Sequence, residues 1–217
     1  MNCTYYYSTG AQFRVTMGSN NTQLLDLSAY APLARGSNTF ESFCAEATAG
    51  VYTNTALYGK LSLVGNYSYN TSGTALSIGS AYLYRLFATG ELLNSNYASN
   101  YLRTSLWAAM GSTTVSSWEN DYFLSQLLAV NSDKSFWLSK YDVSENYYFM
   151  GDYTVLMLQC TTTSGMNTQD AFYLMNGSSS RSSTPEPATL ALWAIGGLLP
   201  IGYKVRKNMG KKRIIPS

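Results

Sequence analysis

Histidine is absent from this chain of 217 residues. Histidine is the commonest general base and the commonest neutral metal ligand, so its absence excludes Ser-His-Asp and Cys-His catalytic sites. The sequence also gives no reason to expect a metal or another cofactor. A hydrolase with paired carboxylates stays open as an alternative, and its candidate residues are Glu41, Glu46, Glu119 and Asp121. Because Glu119 and Asp121 would not converge on one helix face, we expect the protein not to be an enzyme.

Charged residues are scarce, at 12% of the chain against about 25% in a typical soluble protein. Six of the 14 basic residues lie between Lys204 and Ser217, and the rest of the chain carries eight basic and twelve acidic residues, a net charge of −4. Nothing in that larger part would neutralise phosphates, so we expect no nucleic-acid binding. Its abundant tyrosine, serine, threonine and asparagine are typical of strands and exposed loops.

The C-terminus combines three features in a fixed order. Pro185, Glu186 and Pro187 come first, and the stretch from Ala188 to Tyr203 carries no charge. The basic cluster follows: Lys204, Arg206, Lys207, Lys211, Lys212 and Arg213. A helix over 188–203 would be about 24 Å long, slightly shorter than the roughly 30 Å hydrocarbon core of a bilayer. The positive-inside rule places the basic cluster on the cytoplasmic side and the body outside. A buried C-terminal helix with a solvated basic end is the alternative.

This order of features resembles the PEP-CTERM sorting signal. The resemblance implies recognition by an exosortase, a membrane cysteine protease that removes the tail, in a Gram-negative-type bacterium that makes extracellular polysaccharide. The implied partners are the exosortase, membrane lipid and extracellular polysaccharide. The implied location is first the membrane, through the C-terminal helix, and then the cell surface or extracellular space. The tail departs from the pattern in running to Ser217, which is longer than usual.

The N-terminus does not fit this location as it stands. An exported protein needs a signal peptide with a charged start and an apolar run of about 7–15 residues. Residues 1–18 have neither feature and instead predict a strand with Phe13, Val15 and Met17 on one face. We therefore expect a signal peptide that is not visible in this chain.

The pattern along the body predicts strands, then helices, then strands. Residues 1–70 alternate with a period of two, helical periodicity follows over 74–88, 97–110 and from Trp118 to Leu128, and apolar strand patterns return at 153–160 and 170–175. We predict glycine stops at Gly90 and Gly111, and a capping box at the third helix with Ser116 as the N-cap and Glu119 three residues on.

These elements predict an α+β fold. Early and late strands share one sheet, as a β-sandwich or barrel, with a three-helix insertion at 74–130 and one C-terminal membrane helix. The predicted organisation is an extracellular domain over 1–175, a Ser-rich linker over 176–184 and the sorting tail over 185–217, whose apolar helix covers 188–203 and whose basic end covers 204–217.

The chain has three cysteines, Cys3, Cys44 and Cys160. In an oxidising exterior we expect one disulfide and one thiol, but the connectivity stays open. A Cys44–Cys160 bond would join an early strand to a late one. The alternative for Cys44 is a buried thiol that packs as a small apolar side chain.

The surroundings of Cys44 carry a second resemblance. Phe40–Glu46 resembles an F-x-x-F-C-x-E strand that occurs in one group of PEP-CTERM proteins. Ala81–Gly90 resembles a helix of the same group, and Leu106-Trp107 continues the match in the second helix. That group is similar to the thioester domains of surface adhesins, in which a strand cysteine is joined to a glutamine of a T-Q-x-A-[IV]-W motif. The glutamine position, four before Trp107, holds Arg103 here.

Because arginine cannot be acylated by a thiol, we expect Cys44 to form no internal thioester. Gln169, in Thr168-Gln169-Asp170-Ala171, matches the motif in spelling but has no nearby tryptophan in sequence. We expect Trp107 to lie on the second helix, packed near the Cys44 strand. The function indicated is a non-enzymatic surface or matrix protein, associated with exopolysaccharide or biofilm. The alternative is a covalent thioester-type adhesin that uses Cys44.

Overall fold

The structure is a computed structural model of the whole chain. It describes the following residues: 2–7, 13–17, 27, 29–31, 39–46, 55–62, 75–92, 96–143, 147–166 and 168–176. The chain divides into two units, Met1–Gly177 and Ser178–Ser217. The second unit, which holds the predicted tail, lies outside the described residues.

Among the described residues, six strands form one antiparallel sheet, which confirms that early and late strands pair. The strands are β1 Asn2–Tyr7, β2 Phe13–Met17, β3 Thr39–Ser42, β4 Ala56–Ser62, β5 Tyr153–Thr162 and β6 Ala171–Asn176. Their order across the sheet is β3-β2-β1-β4-β5-β6. The two edges also meet, because Cys44, just after β3, bridges Ala171 at the start of β6. The Ala45 amide donates to the Asp170 carbonyl over 2.9 Å at the same place.

All the helices of the described residues lie between β4 and β5, as an insertion in the sheet. They are α1 Ile78–Ala88, α2 Asn96–Ala109, α3 Tyr122–Val130, α4 Lys134–Leu138 and α5 Tyr147–Met150. The prediction of three helices ending at 130 was therefore too short, since α4 and α5 extend the insertion to Met150. These two helices have five and four residues, which is too few to produce a recognisable helical period.

The start of α3 corrects the predicted capping box. Its N-cap is Asp121, not Ser116, and the Asp121 carboxylate accepts from the Phe123 and Leu124 amides. Glu119 accepts from the Ser117 hydroxyl over 2.6 Å, in the turn before the helix. A carboxylate forms charge-assisted bonds to helix N–H groups and also favours the positive end of the helix dipole, so the aspartate sets the boundary.

Helix α1 begins four residues later than the region proposed from periodicity. Its N-cap is Ser77, whose hydroxyl accepts from the Ser80 amide while the Ser80 hydroxyl accepts from the Ser77 amide. At the other ends, Gly90 and Gly111 have φ angles of 84° and 71°. These left-handed conformations are readily adopted by glycine and confirm the two predicted stops.

The core lies where α1 packs against β5 and β6. Phe87 on α1 meets Phe43 edge to face with 4.9 Å between ring centroids, and Tyr84 stacks on Phe172 at 5.2 Å. On its other side α1 approaches α4 closely at Gly79, where an added Cβ would lie 3.0 Å from the Trp137 carbonyl oxygen. Helix α1 is therefore the central element between the sheet and the rest of the insertion.

None of the helices in the described ranges is both long and apolar enough to cross a bilayer.

Candidate functional site

The predicted sorting residues fall outside the described residues. They are Pro185, Glu186, Pro187, Lys204, Arg206, Lys207, Lys211, Lys212 and Arg213. Their role stays a prediction from the sequence. The site that can be described is the buried cluster around Cys44.

Cys44 lies at the seam where the two edges of the sheet meet. Its side chain is buried, and the carbonyl of the preceding Phe43 accepts from the Phe172 amide over 3.4 Å. Cys160 is also buried, in β5 opposite Gly59. Each sulfur is present as a thiol, with no bond between Cys44 and Cys160.

Trp107 lies on α2 and contacts the Cys44 segment, as the sequence predicted. Its indole Nε1 donates to the Cys44 carbonyl oxygen over 2.9 Å. The Arg103 guanidinium, one helical turn earlier, lies 5.0 Å from the centroid of the Trp107 ring. No ion pair joins Arg103 to Glu41 or Glu46 among the described residues, and Glu41 lies 3.8 Å from Arg14 instead. Arg103 is therefore held by stacking on the tryptophan.

Substituting Trp107 by phenylalanine tests this contact. The ring volume would largely remain, but the half-buried Cys44 carbonyl would lose its donor. We expect the free energy of unfolding to fall by about 1–3 kcal/mol, the usual penalty for an unsatisfied polar group. Urea denaturation measures this value. The control Met110→Leu, three residues later, should change it by less than about 1.5 kcal/mol. Equal values for the two variants would contradict a structural role for the indole N–H.

Three polar side chains pack beside the cysteine in the same seam. Gln169 is 2% exposed, Glu46 2% and Asp170 0%. The Gln169 amide nitrogen donates to the Glu46 carbonyl oxygen over 2.9 Å and to Glu46 Oε2 over 2.8 Å. The Asp170 amide also donates to Glu46 Oε2, over 3.0 Å, and Asp170 Oδ1 accepts from the Cys160 amide over 3.0 Å. Together, these bonds fix the carboxamide of Gln169 next to the Cys44–Glu46 segment.

Burial shifts the titration of two members of this cluster. Desolvation, together with the neighbouring Asp170 carboxylate, raises the pKa of Glu46 to about 9. Desolvation also raises the pKa of the Cys44 thiol to about 12, although the Arg103 charge opposes this rise. Burial therefore favours the protonated form of the Glu46 carboxyl. Among the described residues, Glu46 Oε1 and Arg103 Nε are buried and have no hydrogen-bond partner.

Sequence reasoning did not predict the buried position of Gln169. It looked for a glutamine four residues before Trp107 and set Gln169 aside because no tryptophan is near it in the chain. The structure brings Gln169 to the strand seam of Cys44, and Trp107 reaches the same seam from α2. The short match of Thr168-Gln169-Asp170-Ala171 to the thioester motif was the one sequence signal that could have indicated the position of Gln169.

The other candidate carboxylates have separate local contacts. Asp121 caps α3 and also accepts from the Ser105 hydroxyl over 2.9 Å. Glu119 is exposed, and its bond from the Ser117 hydroxyl lowers the pKa of its carboxyl. Only Glu46 belongs to the Cys44 cluster. Within the described ranges, no group of three or more potential ligand side chains is arranged to hold a metal ion.

No family model, curated protein or solved structure matches this chain.

Proposed function

We propose that this chain is an exported, non-enzymatic surface or matrix protein that an exosortase sorts through its C-terminal tail. The observation that carries the proposal is the order of Pro185-Glu186-Pro187, the uncharged stretch 188–203 and the basic cluster that begins at Lys204. The apolar stretch would hold the triplet at the membrane surface, where a membrane protease can reach it. The basic cluster would keep the chain end on the cytoplasmic side.

The body would then lie outside the membrane, in contact with extracellular polysaccharide. Its sparsely charged, tyrosine-rich composition suits an environment of sugar hydroxyls rather than of phosphates. We also infer that its sheet closes as a barrel, with the helices as an insertion. The bridge from Cys44 to Ala171 supports this inference because it joins the two edge strands.

Substituting the triplet tests the sorting role. A variant in which Pro185, Glu186 and Pro187 are all alanine should stay in the membrane fraction with its tail uncut. The control changes Ser182 and Ser183 to alanine in the neighbouring linker, and it should reach the surface normally. Fractionation with tag-specific detection at both ends of the body measures both results. If the triplet variant reached the surface in the normal amount, the sorting proposal would be wrong.

A second candidate function is covalent capture through a thioester between Cys44 and Gln169. The observation that favours it is the pair of buried hydrogen bonds from the Gln169 side chain to Glu46, two residues after Cys44. In the reaction, Cys44 Sγ would attack the Gln169 carboxamide carbon, the bond from that carbon to Nε2 would break, and ammonia would leave with the thiol proton. A nucleophile arriving later would form an amide with Gln169 and release the thiol.

Glu46 is suited to move the proton in this reaction. Its carboxyl is neutral at pH 7 and touches the departing Nε2 over 2.8 Å. Because Oε2 accepts from Nε2 and from the Asp170 amide, the acid proton lies on Oε1, and the carboxyl would have to rotate to give that proton to the leaving nitrogen before it receives the thiol proton. The burial of Cys44, Gln169 and Glu46 would protect a formed thioester from water.

The intact mass of the purified chain tests the thioester. A thioester lowers the mass by about 17 Da, the mass of the released ammonia, and allows methylamine to attach to Gln169. Gln169→Ala and Cys44→Ala should each restore the full mass, whereas the control Cys160→Ala should keep the deficit. A deficit of about 2 Da would instead indicate a disulfide, and no deficit a thiol. Either of these results would reject the second candidate and leave the sorting proposal untouched.

A further inference from the structure

An open cleft of about 680 Å³ lies between α2 and the segment that leads into α3. It is separate from the cysteine cluster, since none of its described lining residues belongs to that cluster. Its lining includes Tyr101, Thr104, Ser116, Asn120, Asp121 and Tyr122. Its volume is within the range of about 300–1,000 Å³ that ligand sites commonly have.

Two tyrosines line this cleft with their side chains about half exposed. Tyr101 on α2 is 50% exposed and Tyr122 at the start of α3 is 54% exposed. The Tyr122 ring is fixed against Phe123, which it meets edge to face with 5.1 Å between centroids. A large aromatic ring that is held in place and left in water is a preorganised contact surface for a flat apolar ligand face.

The remaining lining groups are polar but contain no positive charge. Thr104 and Ser116 carry hydroxyls, Asn120 carries an amide and Asp121 carries a carboxylate, and no lysine or arginine occurs among the described lining residues. An anionic ligand would therefore meet a carboxylate without a compensating cation. A purely apolar ligand would leave these donors and acceptors without partners. The chemistry that remains is a neutral ligand with both apolar faces and many hydroxyls.

Asp121 is held firmly enough to orient such hydroxyls. Its Oδ1 accepts from the Phe123 and Leu124 amides over 2.9 Å, and its Oδ2 accepts from the Ser105 hydroxyl over 3.0 Å. Each carboxylate oxygen has about two acceptor positions, so Oδ2 keeps one for a ligand hydroxyl. The carboxylate is thus fixed by α2 and α3 before any ligand binds.

We propose that this cleft binds a strand of neutral polysaccharide. Pyranose rings would pack against the faces of Tyr101 and Tyr122, and their hydroxyls would bond to Asp121, Asn120 and Ser116. The proposal rests on the proposed function, because it gives the surface protein its polysaccharide contact. The proposed function concerns delivery of the protein by its tail, whereas this proposal concerns binding of polysaccharide by its body.

Binding of defined oligosaccharides to the purified full-length chain in detergent tests the cleft. The probes are neutral hexaoses of β-1,4-glucose, β-1,3-glucose, β-1,4-mannose and β-1,4-N-acetylglucosamine, with hexagalacturonate as the acidic comparison. Isothermal titration calorimetry should detect at least one neutral hexaose and no hexagalacturonate. Tyr122→Ala should weaken that binding about tenfold, the value of one aromatic contact, and Tyr122→Phe should retain most of it.

Tyr58→Ala is the matched control, because Tyr58 is 51% exposed on β4 and does not line the cleft. The Tyr58→Ala variant should bind the neutral hexaose with the same affinity as the unmodified chain. The proposal would be overturned if no neutral hexaose bound, if hexagalacturonate bound as well, or if Tyr58→Ala weakened binding as much as Tyr122→Ala. If the chain binds a neutral hexaose but cells fail to sort it, the tail proposal is wrong and the cleft proposal is supported. Normal sorting of a chain that binds no hexaose would reject the cleft alone.

Discussion

Substitution of Trp137 by alanine should lower the free energy of unfolding by about 3–5 kcal/mol, the usual cost of truncating a buried tryptophan. Trp137 is 0% exposed on α4, and its indole N–H donates to the Asn131 carbonyl over 2.7 Å. Its ring contacts Tyr82 of α1 and Phe149 of α5, at centroid distances of 5.5 and 5.8 Å. It therefore joins three helices of the insertion, and its loss would leave a cavity among them.

The size of this effect can be checked against a neighbour on the same helix. Leu138 is 40% exposed, so Leu138→Ala should cost less than about 1 kcal/mol. Urea denaturation of both variants gives the comparison. Since domains are typically stable by about 5–15 kcal/mol, the Trp137 variant should lose roughly a fifth or more of its stability. A loss no larger than that of the Leu138 variant would mean that α4 does not pack as described.

The second large effect is a fall in stability as the pH rises from about 5 to about 9. The pKa of Glu46 is about 9 in the folded chain, against an ordinary value of 4.5. Between these values the folded state binds a proton that the unfolded state has released, so raising the pH favours unfolding. We expect the free energy of unfolding to fall by at least about 1.4 kcal/mol across this range, which corresponds to one pKa unit.

Glu46→Gln should remove most of this pH dependence. A glutamine has the shape of the neutral acid and can accept from the Gln169 side chain and the Asp170 amide as Glu46 does. The variant should therefore be more stable than the unmodified chain at pH 8.5. The nearby Cys44 thiol, whose pKa burial raises from 9.0 to about 12, adds a loss of the same sign only as the pH approaches 9, where the unfolded thiol begins to ionise.

Glu119→Gln is the control for this experiment, since the Glu119 carboxyl is exposed and its pKa is lowered. Its profile should follow that of the unmodified chain between pH 5 and 9. The free energy of unfolding, measured by urea denaturation at several pH values, decides the matter. A Glu46→Gln profile with the same slope as the unmodified chain would show that Glu46 is ionised at neutral pH.

Much of the fold could be predicted because its longer elements have clear periods. The apolar run from Tyr153 predicted β5, and the glycines after α1 and α2 marked both ends correctly. The start of α3 could not be predicted in the same way. The sequence pattern indicated Ser116 as the N-cap, and only the structure shows that the Asp121 carboxylate reaches the helix amides.

The candidate site was predicted only in part, because one of its contacts depends on which strands pair. Contact between Trp107 and the Cys44 segment was predicted because the helices need an apolar surface of the sheet to pack on, and it is confirmed. The place of Gln169 was not predicted, because it depends on how the end of β3 pairs with the start of β6. That pairing joins residues more than a hundred positions apart, and a shift by one residue would turn Gln169 to the other face of the sheet.

The C-terminal peptide of the protein recovered from the cell surface tests the sorting proposal most directly. Mass spectrometry can compare it with the sequence through Ser217. We expect the surface protein to lack the basic cluster that begins at Lys204, and to end within or before the apolar stretch 188–203. Surface protein that still carries the intact sequence through Ser217 would contradict processing by an exosortase.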